Sequence, residues 1–229
     1  RLPPPPPPLS WEPRAAEEIR ARLVSRGAGE PGRPLLVALA GPPGSGKSTA
    51  AAALGELLGE ACVVLGMDGF HSPLAALRAR PDAEEAVYRR GAPDTFEPEE
   101  LRARLRDVAS AAGPAEVEWP GFDHAVGDPA PGGARFARDR HKIVLVEGLY
   151  LLLEEGAWAG TAGLFDLRIY LDTDVETCIA RVKERNKVIP GYSAEEVEIR
   201  CEKVDRANAV TVARTASRAD LRVTAGLAA

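Results

Sequence analysis

Several classes of protein are excluded by what this sequence has little of. Only three cysteines occur among 229 residues, Cys62, Cys178 and Cys201. Their spacing fits neither a disulfide framework nor a metal site, so they read as free or buried thiols in a reducing compartment. No apolar run approaches the roughly 20 residues a membrane helix needs, which excludes a spanning protein. Basic residues are in deficit, 29 against 34 acidic for a net charge of −5. A sequence-independent nucleic-acid binder would need a basic face to release counterions, so that class is excluded too. No signal-peptide core and no internal repeat is visible. What remains is an ordinary globular balance, 45% hydrophobic and 28% charged. A single generous domain of this length buries about 70% of the surface its unfolded chain would expose.

The chain begins at Arg1 with a proline run, Pro3 to Pro8. Such a run favours polyproline II or disorder, and residues 1–13 are read as a flexible tail ahead of a single domain over 14–229. The start at a residue other than Met leaves room for a removed targeting segment. The expected compartment is the cytoplasm, or an organelle if such a segment existed. Arg14 to Arg26 places Ile19 and Leu23 four apart among charges, as an amphipathic helix does. Leu35 to Ala40 is apolar throughout, the mark of a strand buried on both faces. A glycine-rich turn and an Ala- and Leu-rich helix follow. Cys62 to Leu65, Ile143 to Val146, Leu167 to Leu171 and Leu221 to Val223 read as further strands. A helix opens at Pro98 with Leu101, Leu105 and Val108 on one face. Ser193 and Glu196 have the spacing of a capping box. Strands alternating with helices predict an α/β fold with a parallel sheet and right-handed crossovers. Phe70 to Phe96 and Trp119 to Phe136 break the pattern, being polar with scattered Pro and Gly. Segments of that kind lie over a sheet edge and build substrate sites.

The most specific signal is Gly41-Pro42-Pro43-Gly44-Ser45-Gly46-Lys47-Ser48, followed by Thr49. It matches G-x-x-x-x-G-K-[ST] between a buried strand and a helix. Glycines let successive N–H groups converge on one concavity, and the helix adds its positive end. Lys47 reaches the β- and γ-phosphates in such a cradle, and the Ser48 hydroxyl holds Mg²⁺. The cradle alone does not name the reaction. The guanine-reading N-K-x-D is absent, and a compact chain with loops over its sheet points to a small-molecule kinase.

Two carboxylates stand at strand ends. Asp68 follows the second strand, beyond the carboxyl edge where open α/β sheets bind ligands, and is placed to accept a hydroxyl proton. Glu147 ends another buried strand and can bind Mg²⁺ directly or through water. On a helix after Leu171, Arg181 and Arg185 share a face, with Lys183 between them. Arginines so placed stabilise charge spread over a transferring phosphoryl group. A solvated helix face accounts for the same spacing.

Together these residues resemble the P-loop kinases of the phosphoribulokinase, uridine kinase and type I pantothenate kinase superfamily, from Pro34 to Thr211. Five blocks carry the likeness in the family's order. They are the cradle; Met67-Asp68-Gly69-Phe70-His71; Arg90-Gly91-Ala92-Pro93-Asp94-Thr95-Phe96; Pro120-Gly121-Phe122-Asp123-His124; and Val146-Glu147-Gly148-Leu149, with Asp172-Thr173-Asp174 and Arg181 beyond. The resemblance implies a P-loop NTPase fold, a doubly wound, mainly parallel sheet with helices on both faces and a helical lid. It implies that ATP and Mg²⁺ sit on residues 41–49, with Glu147 supporting the metal and Arg181 and Arg185 closing as a lid. It further implies that Asp68 is the general base and that Asp68, His71, Arg90, Phe122 and His124 face the acceptor. Arg90-Gly91 stands where uridine kinases carry an aromatic–Asp pair, and the late region lacks the aromatics of pantothenate kinases. No cysteine lies in the cradle, unlike the light-regulated phosphoribulokinases. The nearest likeness is to small, less characterised members provisionally assigned as sugar or nucleoside kinases. These share a late D-x-x-N, here ending on Asn208 and set toward the adenine.

The expected function is therefore transfer of the γ-phosphate of ATP to a hydroxyl of a small metabolite, whether nucleoside, sugar or pantothenate-like. The partners implied are that metabolite alone, without nucleic acid or membrane, and a homodimer stays open. The rival readings are an ATPase or nucleotide-dependent regulator without an acceptor, and an interaction protein that displays its proline run on a kinase scaffold.

Overall fold

The computed structural model describes residues 11–26, 32–123, 125–188 and 193–224. Its centre follows from the uniformly apolar segment β1 (Leu35–Ala40), every residue of which is buried. Helix α1 (Glu12–Arg26) precedes it; α2 (Lys47–Leu58) and β2 (Cys62–Gly66) follow. Next come α3 (Leu74–Arg78), α4 (Ala83–Tyr88), α5 (Pro98–Ala109) and the strands β3 (Glu116–Asp123) and β4 (Asp128–Ala137). The chain continues through β5 (Ile143–Gly148), β6 (Leu167–Leu171), α6 (Val175–Asn186), α7 (Ala194–Arg200), α8 (Arg206–Ala213) and β7 (Leu221–Val223). Five strands form one sheet in the order β2-β5-β1-β6-β7. Every pairing within it is parallel. The expected doubly wound α/β sheet is thus present.

Because side chains alternate along a strand, β1 feeds two cores. Leu36, Ala38 and Ala40 join Val144, Val146 and Leu65 under α5, whose Leu101, Leu105 and Val108 enter the same cluster. Leu35, Val37 and Leu39 join Ile143, Leu145 and Ile169 under α1 and α2. A third, small cluster of Val182, Val197 and Cys201 holds α6 to α7.

The structure departs from the sequence expectation in three places. Helix α1 starts at Glu12, and Trp11 is buried with Ala15, Ala16 and Ile19. Residues 11–13 therefore belong to the domain rather than to a tail ending at 13. Pro13 is tolerated because it falls in the first helical turn, where an N–H has no intrahelical partner. The proline run itself lies outside the described residues. Second, the irregular stretch 119–136 belongs to an antiparallel hairpin, β3 on β4, with a register shift between Trp119 and Gly121. Its prolines and glycines hide the alternation but are compatible with a two-stranded ribbon whose edges need no further partner. Gly69 allows this hairpin to dock on the turn after β2, since a Cβ there would lie 2.0 Å from the Pro120 carbonyl oxygen. Third, the stretch 70–96 contains α3 and α4 rather than an irregular loop.

Helices α7 and α8 run on from one another through a π-turn at Cys201–Asp205. Such turns redirect side chains and are frequent at functional sites. This one carries Asp205 to the mouth of the cavity described next.

Candidate active site

Strands β1, β2 and β5 end side by side, with Gly66 and Leu39 both registered against Glu147. Each strand tip delivers one group. The turn after β1 is Gly41–Gly46, which enters α2 with Gly46 at φ 92° and no side-chain cap. The first N–H groups of α2 therefore have no side-chain acceptor and are available to an anion. Gly44, at φ 82°, passes so close to α6 that a Cβ would lie 2.3 Å from the Cys178 carbonyl oxygen. Its glycine identity is required both by backbone conformation and by the approach of the lid helix.

A cavity of about 430 Å³ opens over this turn. Pro43, Gly44, Gly46, Lys47, Ser48 and Thr49 line its floor, Asp68 and Glu147 one wall, and Arg181 and Arg185 the roof. Gly41, Pro42 and Ser45 do not reach it and form the back of the turn. There the Pro42 carbonyl accepts from the Ser45 N–H at 3.1 Å and from Lys47 Nζ at 2.9 Å. Burial lowers the Lys47 ammonium below its ordinary pKa, against the opposing pull of Glu147 and Asp68. Burial likewise raises the Glu147 carboxyl, with Asp68 adding repulsion and Lys47 attraction. A lysine that is 8% exposed and disfavoured as a cation gains directly from a polyanion beside it. The Ser48 hydroxyl donates to Glu147 Oε1 at 3.3 Å. That pair of hard oxygen donors suits Mg²⁺ completed by phosphate oxygens and water. The residues present thus fit ATP and its metal.

Asp68 sits in a 3₁₀ turn, Met67–Phe70, directly after β2. Its carbonyl accepts from the ring Nδ1 of His71 at 2.8 Å, a tautomer assigned from that contact. His71 is stacked between Phe96, with ring centroids 3.9 Å apart, and Phe122, at 4.7 Å. Trp119 anchors the hairpin to this turn by donating to the Gly66 carbonyl at 2.8 Å. Arg90 is held in the neighbouring segment by two buried anchors. Tyr150 donates to the Gly91 carbonyl at 2.6 Å, and Trp158 to that of Pro93 at 2.9 Å. Asp94 takes Arg89 at 2.8 Å and Arg80 at 3.2 Å, and Arg89 chiefly holds its carboxyl below the ordinary range.

Of the expected site residues, Lys47, Ser48, Thr49, Asp68, His71, Glu147, Arg181 and Arg185 converge on the one cavity. Arg90 and Phe122 line an adjoining one. His124 lies outside the described residues. Lys183 turns away and bridges Glu198 and Glu202 at 2.5 and 2.6 Å, a lid contact rather than a phosphate contact. The sequence reading missed Asp205 and Arg200, which the π-turn and α7 bring to these cavities. Asp205 stood in the sequence only as the first residue of the D-x-x-N string, and Arg200 had no signal, since a π-turn shifts the helical register by one residue. Asn208, buried, lines the same cavity.

The model of the phosphoribulokinase / uridine kinase family matches residues 36–227. The chain belongs to that family. Among its relatives, an ATP-dependent kinase-like protein of Aspergillus versicolor is 39% identical over 58% of this chain and 80% of its own length. A Schizosaccharomyces pombe protein, provisionally named a uridine kinase, is 36% identical over 75% of this chain and 74% of its own. Among solved structures, a kinase from Silicibacter sp. TM1040, provisionally assigned to a fructose transport system, superposes with a TM-score of 0.78. It shares 28% identity and covers 91% of this chain and 98% of its own. This family member accordingly has the P-loop kinase fold and the nucleotide cradle of an ATP-dependent kinase. No helix among the described residues is long and apolar enough to cross a membrane.

Proposed function

We propose that the protein is an ATP- and Mg²⁺-dependent phosphotransferase that moves the γ-phosphoryl group onto a hydroxyl of a small metabolite. One observation carries this reading: Asp68 lines a single cavity with Lys47, Ser48 and Glu147, and its charge acts on both Lys47 and Glu147. A nucleotide switch needs no base beside its phosphates, whereas a kinase with an alcohol acceptor does.

In this reading the α2 N–H groups and Lys47 fix the β- and γ-phosphates. Ser48 and Glu147 would hold Mg²⁺, which would supply positive charge to neutralise the phosphates. Asp68 accepts the acceptor's hydroxyl proton as the new O–P bond forms. The bond to the β-phosphate oxygen breaks, and ADP leaves with that electron pair. Arg181, whose Nη1 reaches the Gly44 carbonyl at 3.5 Å, and Arg185 stabilise the charge on the transferring group from the lid. Little covalent work falls to the protein; position and electrostatics supply the rate. The three cysteines, all unpaired, suit a reducing compartment such as the cytoplasm.

ADP release measured with and without a panel of hydroxylated metabolites tests the reading. A kinase shows at least about a hundredfold stimulation by one of them, the lower end of what positioning and a general base contribute. A regulator or simple ATPase shows none.

A further inference from the structure

Behind the stacked rings of His71 and Phe122 lies a second cavity of about 450 Å³. It shares His71, Arg185 and Asp205 with the nucleotide cavity, so the two communicate beside the base. Its charged lining is unbalanced. Arg90, Arg185 and Arg200 face a single acidic side chain, Asp205. Arg200 stands 3.5 Å from Asp205, a long contact, while its other nitrogen donates to the Arg90 carbonyl at 3.1 Å. Burial raises the Asp205 carboxyl above its ordinary range, against the opposing pull of Arg200 and Arg185.

Arg90 is the more telling group. Its side chain is 12% exposed, and Nη2 donates to Asp128 at 2.8 Å from behind the cavity. Its Nε and Nη1 are buried and find no hydrogen-bond partner among the described residues. The guanidinium lies 5.7 Å from the centre of the Phe122 ring, which limits its motion. Buried guanidinium donors without acceptors are costly, and planar pairs of oxygens are their best complement.

We propose that the acceptor is an acid: a small hydroxylated metabolite whose carboxylate or phosphate is held by Arg90 and Arg200 while its hydroxyl faces Asp68. The proposal rests on the kinase reading and narrows its substrate class. A neutral sugar or nucleoside would leave three arginines in this lining against the one carboxylate of Asp205, and the Nε and Nη1 donors of Arg90 without an acceptor.

Matched acceptors test it: glycerate against glycerol, pantothenate against pantothenol, and ribose 5-phosphate against ribose. For each pair kcat/KM is measured by ADP release, and Kd by calorimetry with a non-hydrolysable ATP analogue present. The charged member of at least one pair should be favoured about tenfold or more, the scale of one charge-assisted hydrogen bond. The pair that responds tells carboxylate from phosphate. Arg90→Gln and Arg200→Gln should each erase the preference mainly through KM, and Arg90→Lys should restore part of it. Stabilisation by ATP in a thermal scan verifies that each variant is folded. Equal or better use of the neutral member in every pair, with ADP release still stimulated, overturns the inference and leaves the kinase reading standing. If no compound stimulates ADP release and none binds, both readings fall.

Discussion

Asp68→Asn should bind ATP as well as the unaltered protein and turn over at least about a hundredfold more slowly, the lower end for loss of a general base. The substitution keeps side-chain size and removes only the proton-accepting charge. Asp68 is half-buried in a turn held by main-chain contacts and by the docked hairpin, none of which involves its carboxylate. The fold should therefore survive. Because Asp68 also favours the Lys47 ammonium electrostatically, a small change in nucleotide affinity accompanies the loss without accounting for it. Steady-state kinetics and calorimetry with ATP separate the two effects. Unchanged turnover would remove Asp68 from the chemistry.

The second large effect is expected at Lys47. Lys47→Ala should weaken ATP binding at least about tenfold, since a buried charge-assisted contact contributes about 1.5–3 kcal/mol. It should lower turnover as well. In the nucleotide-free protein burial disfavours the ammonium, whose hydrogen-bond acceptor among the described residues is the Pro42 carbonyl. The substitution should shrink the upward shift in melting temperature that ATP confers. An ATP affinity equal to that of the unaltered protein would contradict the cradle's assignment.

These two residues were legible in the sequence because each belongs to a short contiguous string whose chemistry is local. The cradle needs glycines and a lysine at fixed offsets, and the flanking strand announced itself by being apolar at every position. The sheet was legible for the same reason. The hairpin was not, since Pro120, Gly121, Pro129, Pro131, Gly132 and Gly133 erase the period of two that marks a strand. The helical start at Glu12 was obscured by Pro13, although Trp11 is the residue whose burial fixes it. The acceptor side was harder still. Arg90 lies more than a hundred residues from Arg200 and Asp205 in the chain, and only the docking of the 90–96 segment against α7 and the π-turn brings them to one cavity. No spacing in the sequence reports such a meeting.

The account depends on an aspartate activating an alcohol directly in front of a cradled triphosphate. The most direct measurement is a crystal structure with a non-hydrolysable ATP analogue, Mg²⁺ and an acceptor that stimulates ADP release. The account predicts the acceptor oxygen between the Asp68 carboxylate and the γ-phosphorus, about 3 Å from the carboxylate and in line with the bond to be broken. An acceptor hydroxyl bound away from Asp68, or a γ-phosphate turned from it, would contradict the account.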